Sequence, residues 1–311
     1  MQETLPSTTR STPKAPNVMR SETPTVRTAR RLFRNRSAQA GMFMLLALIL
    51  IAIFADVLAP YDPIKRVPGA RKREAPCVHA LGCSAEKVQH LMGTDANFRD
   101  LFSRVLYGSR LSLQIGLATV TAAVVVGTLL GAVAGYAGGW VDNLIMRVMD
   151  VFLAFPSLLL AIAIVSVLGS GLINTLLAVA IVSIPVYARV VRASVISVKD
   201  LDFISASYAL GTSSVRVLFT RILPNALTPL IVVATLGIAG AILDAAGLSF
   251  LGLGAEPPTP EWGLMLGEER NSVFNAPHLV FFPGIAIIIT VLAFNLLGDG
   301  LRDALDPRRK A

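Results

Sequence analysis

Apolar residues in this chain fall into blocks rather than alternating or forming narrow stripes. Six blocks stand out, at about residues 41–59, 111–135, 145–168, 172–193, 226–250 and 279–298. Each approaches the roughly 20 residues that an α-helix needs to cross a hydrocarbon core of about 30 Å. A helix that is apolar on every side is buried in a large core or in lipid. Six in succession predict an all-α integral membrane protein with six transmembrane helices. Pro156 and Pro185 lie inside the third and fourth blocks, and neighbouring helices can satisfy the backbone groups that proline frees, so both are read as kinks rather than ends. Gly127, Gly131 and Gly135 recur every four residues along the second block. That stripe of small residues predicts close packing against another helix backbone.

Composition agrees with the pattern. Hydrophobic residues make up 54% of the chain and charged residues 15%, against about a quarter charged in ordinary soluble proteins. The net charge of +8 sits in tails and loops beside the apolar blocks, with no basic stripe interleaved with aromatics, which argues against nucleic-acid binding. Residues 1–38 are rich in Ser, Thr, Pro and Arg and cannot bury a core, so they are expected to form a disordered basic tail. So long a polar run is not how a secretory signal begins, which makes the first apolar block, with its flank at 39–59, a retained anchor helix.

Six spans place both termini on one side. With that side cytoplasmic, inner segments hold 18 Lys and Arg and outer ones 10, nine of which lie in the single stretch 60–110. The bias supports cytoplasmic termini. The expected organisation is therefore a tail over 1–38, a span over 39–59, an extracytoplasmic loop over 60–108, a core over 109–300 with a polar loop at 196–225, and a second cytoplasmic tail over 301–311.

The first long loop carries both cysteines, Cys77 and Cys83. An extracytoplasmic position permits a disulfide closing a small ring; two free thiols, or a metal site with His79 and His90, are the alternatives, and the spacing matches no standard zinc pattern. Hence no metal site is assigned. Nothing points to covalent chemistry: the chain lacks a Gly-x4-Gly-Lys-Ser/Thr phosphate loop, and His-Glu-x-x-His and Gly-x-Ser-x-Gly are missing too. Charges inside spans are few. Asp150, near Arg147, reads as a structural group at the membrane edge. Asp244 is deeper, and is either a structural acid bonded between helices or a group lining a pathway.

The longest polar interruption in the second half is Asp202-Phe-Ile-Ser-Ala-Ser-Tyr-Ala-Leu-Gly211, followed by a stretch ending in Arg221-Ile-Leu-Pro224-Asn225. Ala206, Ala209, Leu210, Val215, Leu218 and Phe219 recur at helical spacing, and Gly211 offers a turn between two short helices. The residues resemble the cytoplasmic coupling loop of ABC importer permeases, Glu-Ala-Ala, three residues, Gly, nine residues, Ile-x-Leu-Pro. Ala206, Gly211, Leu223 and Pro224 stand at matching positions; Ser205, Ser207 and Arg221 replace the Glu, the second Ala and the Ile. Gly93-Thr94-Asp95-Ala-Asn-Phe98-Arg99-Asp100 resembles the entry to the second helix of the peptide-type group, with Phe98 where that group has Gly, a residue for which φ > 0 is costly. Ala245-Ala-Gly247-Leu-Ser-Phe-Leu-Gly-Leu-Gly254, Pro257-Pro-Thr-Pro-Glu-Trp262-Gly and Asn295-Leu-Leu-Gly-Asp-Gly300 through Pro307 are similar to the second, C-type permease of dipeptide and oligopeptide importers.

The resemblance implies a non-catalytic subunit that pairs with a homologous permease, two ABC ATPase subunits and an extracytoplasmic solute-binding protein. It implies a bacterial or archaeal cytoplasmic membrane, and ATP and Mg²⁺ bound by the ATPases rather than by this chain. Ser205, Ala206, Ser207, Gly211, Leu223 and Pro224 become the expected coupling residues. A different class, an ion-coupled carrier acting alone, would need internal symmetry and paired midplane charges, and neither is found.

Overall fold

The protein is described by a computed structural model covering residues 30–84 and 86–305. Most of the tail expected to be disordered, residues 1–29, and the last residues, 306–311, lie outside the described residues. Among the described residues, nine helices of eight or more residues form the body: α1 Arg36–Ile53, α2 Leu101–Ala137, α3 Gly139–Leu153, α4 Ser157–Leu168, α5 Leu172–Lys199, α6 Asp202–Ala209, α7 Leu223–Phe250, α8 Trp262–Glu269 and α9 His278–Leu305. No strand occurs among the described residues. Five helical stretches among the described residues, one running from Ser214 to Phe250, are long and apolar enough to cross a membrane. A sixth span requires α3 and α4 together, which meet at an angle of 93°.

That break corrects the reading of residues 145–168 as one kinked helix. The α3 helix ends at Leu153, the Ala154 N–H bonds back to Asp150 at 3.0 Å, and α4 restarts after Pro156. The residue before a proline is pushed out of helical backbone, and Pro156 has no N–H to rejoin the ladder. Pro185 behaves as expected and stays inside α5. The difference is lateral support. Helix α5 is buried on both sides of its proline, at Ala178, Val179, Ala188, Val191 and Val195, whereas α3 buries only Asp142 and Met149 and α4 only Ala161 and Val165.

Other boundaries shift in the same direction, towards longer helices. Residues 30–34 are helical, and α1 begins at Arg36, so the end of the expected disordered tail is ordered. Asn35 caps α1 by accepting from the N–H groups of Ser37 and Ala38, and donates from Nδ2 to Asp303 at 3.1 Å. Helix α2 begins ten residues before the sequence pattern suggested because its first turns are buried by protein rather than by lipid. Asp100 caps it, accepting from Ser103 N at 2.8 Å. Helix α9 continues through Leu305, into the expected second tail.

The broadest helix–helix contact is between α2 and α5. Gly127, Gly131 and Gly135 all face α5. A Cβ at Gly127 would lie 2.7 Å from the Cβ of Tyr187, one at Gly135 would lie 2.8 Å from the Arg192 carbonyl oxygen, and one at Gly131 would press into the Ala188 carbonyl. Backbone has come within reach of backbone. Val120, Ala123, Val179, Val191 and Leu248 continue this core towards α7. The α1 helix packs separately on α9, through Leu45, Leu48 and Ala293. Outward positions such as Phe43, Val167 and Ile173 are exposed by 72%, 87% and 72%, as residues facing lipid are.

At Gly131 the obstacle is a helical backbone oxygen that cannot swing aside, so Gly131→Ala should cost about 1–3 kcal/mol, as overpacking generally does. Gly240 has open space where its Cβ would stand. Thermal denaturation of the purified protein should therefore show a clear fall in Tm for Gly131→Ala and little change for Gly240→Ala.

Candidate functional site

Three regions bear on function. The first lies at the end of the bundle where the described chain begins and ends. Helix α6 is followed by a turn at Gly211, whose φ of +78° is a left-handed conformation that glycine adopts without strain. One helical turn, Ser214–Val217, then leads into a π-helical turn over Leu218–Ile222, closed by Leu223 N–H bonding to the Leu218 carbonyl. The wider turn carries the helix past Pro224, which has no N–H to donate. Asn225 Nδ2 bonds the Arg221 carbonyl at 2.6 Å. Helix α7 thus runs on from Ser214 without a hinge.

The element has two faces. Ile204, Val217, Leu218 and Ile222 are buried in the main core beside Val195 of α5. Tyr208 Oη meets Tyr136 Oη at the end of α2, 2.8 Å away. Burial, with the hydrogen bond to Tyr136, raises the Tyr208 phenol to about 12, so its hydroxyl is neutral at physiological pH. The opposite face is apolar yet exposed: Leu210 by 86%, Val215 by 68% and Phe219 by 53%. Ser205 and Ala206 lie on the surface of α6, and Ser207 is half-buried with its hydroxyl bonded to the Phe203 carbonyl. Pro224 is exposed and Leu223 half-buried. Of the six apolar residues read at helical spacing, only Leu218 joins the core. The anchoring residues Ile204, Val217 and Ile222 belong to the other face, which the sequence reading did not pick out.

The second region is a groove of about 390 Å³ between the α3–α4 elbow, α5 and α7, and Asp244 lines it. Asp244 makes no hydrogen bond to another helix among the described residues. Nor does Asp150 pair with Arg147. It bonds Arg189 of α5 at 2.9 Å, and Asp142 engages Arg192 through both carboxylate oxygens, so two ion pairs tie α3 to α5.

The third region is a cap at the opposite end, built from residues 60–100 and 251–277. Cys77 and Cys83 are joined in a disulfide with Cα atoms 5.4 Å apart. His79 Nε2 lies 2.9 Å from the Lys87 carbonyl, and His90 Nδ1 lies 2.9 Å from buried Asp100. The four residues weighed as a metal set therefore do not converge, and no group of three or more ligating side chains occurs among the described residues. Phe98 keeps the left-handed turn, at φ +63°, despite its side chain. Asp95 Oδ1 holds that turn by accepting from Asn97 and Arg99 N–H, at 2.7 and 2.9 Å, and Arg66 stands 5.8 Å over the Phe98 ring.

A buried ion network joins the two loops, and sequence reasoning missed it. Arg99 pairs with Asp95 and, at 3.2 Å, with Glu268. Arg104 donates to the Pro63 and Pro258 carbonyls at 3.1 and 3.0 Å. Arg73 bonds Glu269 at 2.9 Å, and Glu269 also accepts from Ala96 N. Glu261 caps α8, accepting from Gly263 and Leu264 N at 2.9 and 2.7 Å. Burial raises its carboxyl above the usual range, while these N–H donors and the Ser249 hydroxyl pull it back. Trp262, 1% exposed, fits where Gly108 has no side chain and donates to the Val105 carbonyl at 3.0 Å. The signal available in the sequence was the match of basic residues near the start of the second span with four Glu in the last loop.

Residues 127–311 match the model of the binding-protein-dependent transport system inner membrane component. This chain belongs to that family. Residues 23–76 match the N-terminal transmembrane domain of oligopeptide transport permease C. The chain is 50% identical over 282 residues to the dipeptide transport system permease protein DppC of Alkalihalophilus pseudofirmus, covering 91% of this chain and 89% of that one. It is 48% identical to the di/tripeptide permease DppC of Pseudomonas aeruginosa, over 89% of each. Identity to the glutathione transport system permease protein GsiD of Pectobacterium atrosepticum is 46%, over 91% and 90%. A chain of the inward-facing MetNI methionine ABC transporter shares the fold at a TM-score of 0.55 and 18% identity, covering 65% of this chain and 96% of that one.

Two results are expected of the cap. Arg104 also stands 3.6 Å from both Asp95 and Glu268. Arg104→Ala leaves the buried Pro63 carbonyl and the Pro258 carbonyl without this donor, which costs about 1–3 kcal/mol each where no water replaces it, and the yield of folded, monodisperse protein should fall. In intact cells a membrane-impermeant maleimide should label Cys83, the more exposed of the two, only after reduction. Labelling without reduction would contradict the disulfide, and no labelling even in reduced cells would contradict an external cap.

Proposed function

We propose that this chain is one of two permease subunits of an ATP-driven ABC importer for di- and oligopeptides or similar small peptide-like solutes. It forms half of the translocation pathway, with both termini and the α6 element in the cytoplasm and the disulfide-bearing cap outside. Its partners are a second, homologous permease, two ABC ATPase subunits and an extracytoplasmic solute-binding protein. The chain carries no catalytic residues of its own, and ATP and Mg²⁺ belong to the ATPases.

The observation that carries this reading is the element over 202–222. It exposes Leu210, Val215 and Phe219 on one face, is anchored in the core on the other, and continues without a hinge into the span α7. An apolar face at the end of a lever is suited to a protein partner that moves. When the ATPase subunits close, a groove on them holding α6 would move the element as a body, and the helical junction at Pro224 would pass that motion to α7. Rocking of two related subunits about a central cavity gives alternating access. Names and sequence identities of the relatives support a peptide-like solute, and the basic residues beside α1, α5 and α6 support the orientation.

The test uses membranes containing the complete complex. Single cysteines replace Ala206 or Ser207 in a background lacking Cys77 and Cys83. Crosslinks to the ATPase that change with ATP are the expected result. Intact complexes with no crosslink from either position would overturn the coupling role and favour a carrier that works without an ATPase.

A further inference from the structure

The groove beside Asp244 holds more information than the placement of one acid. Along α7 its wall is formed by Val233, Leu236, Gly237, Gly240, Ala241 and Asp244, positions three and four apart that share one face. The two glycines deepen it. Across from them stand Ser183 and Tyr187 of α5, and the α3–α4 elbow closes it with Phe152, Phe155 and Ser157. Among its described lining residues Asp244 is the one charged group. Its carboxylate has no hydrogen-bond partner among the described residues, and neither has the Tyr187 hydroxyl, although Tyr187 is 3% exposed. Ser183, by contrast, spends its hydroxyl on the Val179 carbonyl at 2.7 Å.

Partnerless polar groups at membrane depth are costly, and they persist where they face protein or a pathway. The Tyr187 hydroxyl sits against Gly237, where an added Cβ would collide with it. From Gly237 to Asp244 is seven residues, or about 10 Å along a helix rising about 1.5 Å per residue. Two to three residues of extended peptide span about 7–11 Å. A carboxylate at one end, a hydroxyl donor two turns away and the Phe152 and Phe155 rings in the groove wall complement a short zwitterionic peptide. The volume, about 390 Å³, is within the range of ligand pockets, about 300–1,000 Å³.

We propose that this groove is the chain's half of a transit site for solutes bearing a primary ammonium, with Asp244 receiving the peptide N-terminus and Tyr187 donating to its C-terminal carboxylate. The inference rests on the importer reading given above and adds the part of the solute that is recognised inside the membrane. It places the selection of a free amine in the permease as well as in any binding protein. It also gives the α3–α4 break a role, since an unbroken helix would not supply the elbow that closes the groove.

The experiment uses the complete membrane complex in nanodiscs, without the binding protein. Equilibrium binding of alanyl-phenylalanine is compared with that of its N-acetyl form. Loss of a charge-assisted hydrogen bond predicts that Asp244→Asn weakens the free-amine dipeptide by about tenfold or more and leaves the N-acetyl form unchanged. Asp244→Glu should retain the preference, and Tyr187→Phe should weaken both forms alike. Equal binding of the two forms by wild type and Asp244→Asn would overturn the proposal, as would undetectable dipeptide binding by wild type at millimolar concentration. Loss of the second permease on purification of Asp244→Asn would also overturn it, by making the carboxylate an interface group. The nucleotide-dependent crosslink at Ala206, measured in the same preparation, separates the two levels. A crosslink without amine discrimination ends the transit-site inference alone, while no crosslink ends the importer reading.

Discussion

Between Ser214 and Phe250 the backbone is helical at every residue, and two prolines fall within that stretch, Pro224 and Pro229. A break at either would uncouple what happens at α6 from what happens in the membrane. The π-helical turn over Leu218–Ile222 takes up the misfit at Pro224, and burial of Val217, Ile222 and Ala226 holds the turn against α5. The α5 helix is in turn fixed to α2 by contacts so close that glycine is required. The chain therefore holds α7, unbroken from Ser214, against α2 and α5, with α6 seated beside it through Ile204.

Much of this was legible in the sequence, for identifiable reasons. Apolar blocks about twenty residues long announce spans because lipid leaves little alternative, and a glycine every fourth residue announces a close approach because few other features produce it. Gly211 and Pro224 marked a turn and a junction correctly in kind. Pro156 was misread because a proline in an apolar run is compatible with both a kink and a break, and what decides between them is lateral burial contributed by distant residues. Helix α2 was cut short for a related reason. The stretch Leu101–Arg110 is polar enough to look like loop, yet Trp262 and the cap bury it, and those residues are far away in the sequence.

The faces of the element over 202–222 show a different limit. Periodicity identifies apolar residues that share a side but does not say whether that side meets the chain's own core or another protein. Here the more conspicuous apolar set is the exposed one, and the anchoring set of Ile204, Val217 and Ile222 is smaller and split by the turn. Charges at the other end were visible singly, but their convergence on Glu268 and Glu269 depends on two loops folding over each other.

That convergence constrains how the protein is made. Arg99 finds Glu268 169 residues later in the chain, and Arg104 finds the Pro258 carbonyl 154 residues later. At synthesis rates of about 5–20 residues per second, the two arginines wait on the order of ten to thirty seconds for their partners. During that interval four more spans have to enter the membrane, while the first turns of α2 stay in water with their charges hydrated. The cap can therefore close only after most of the spans have been made, and a chain stalled before the loop that carries Glu268 would sit in the bilayer with those spans inserted and its cap still open.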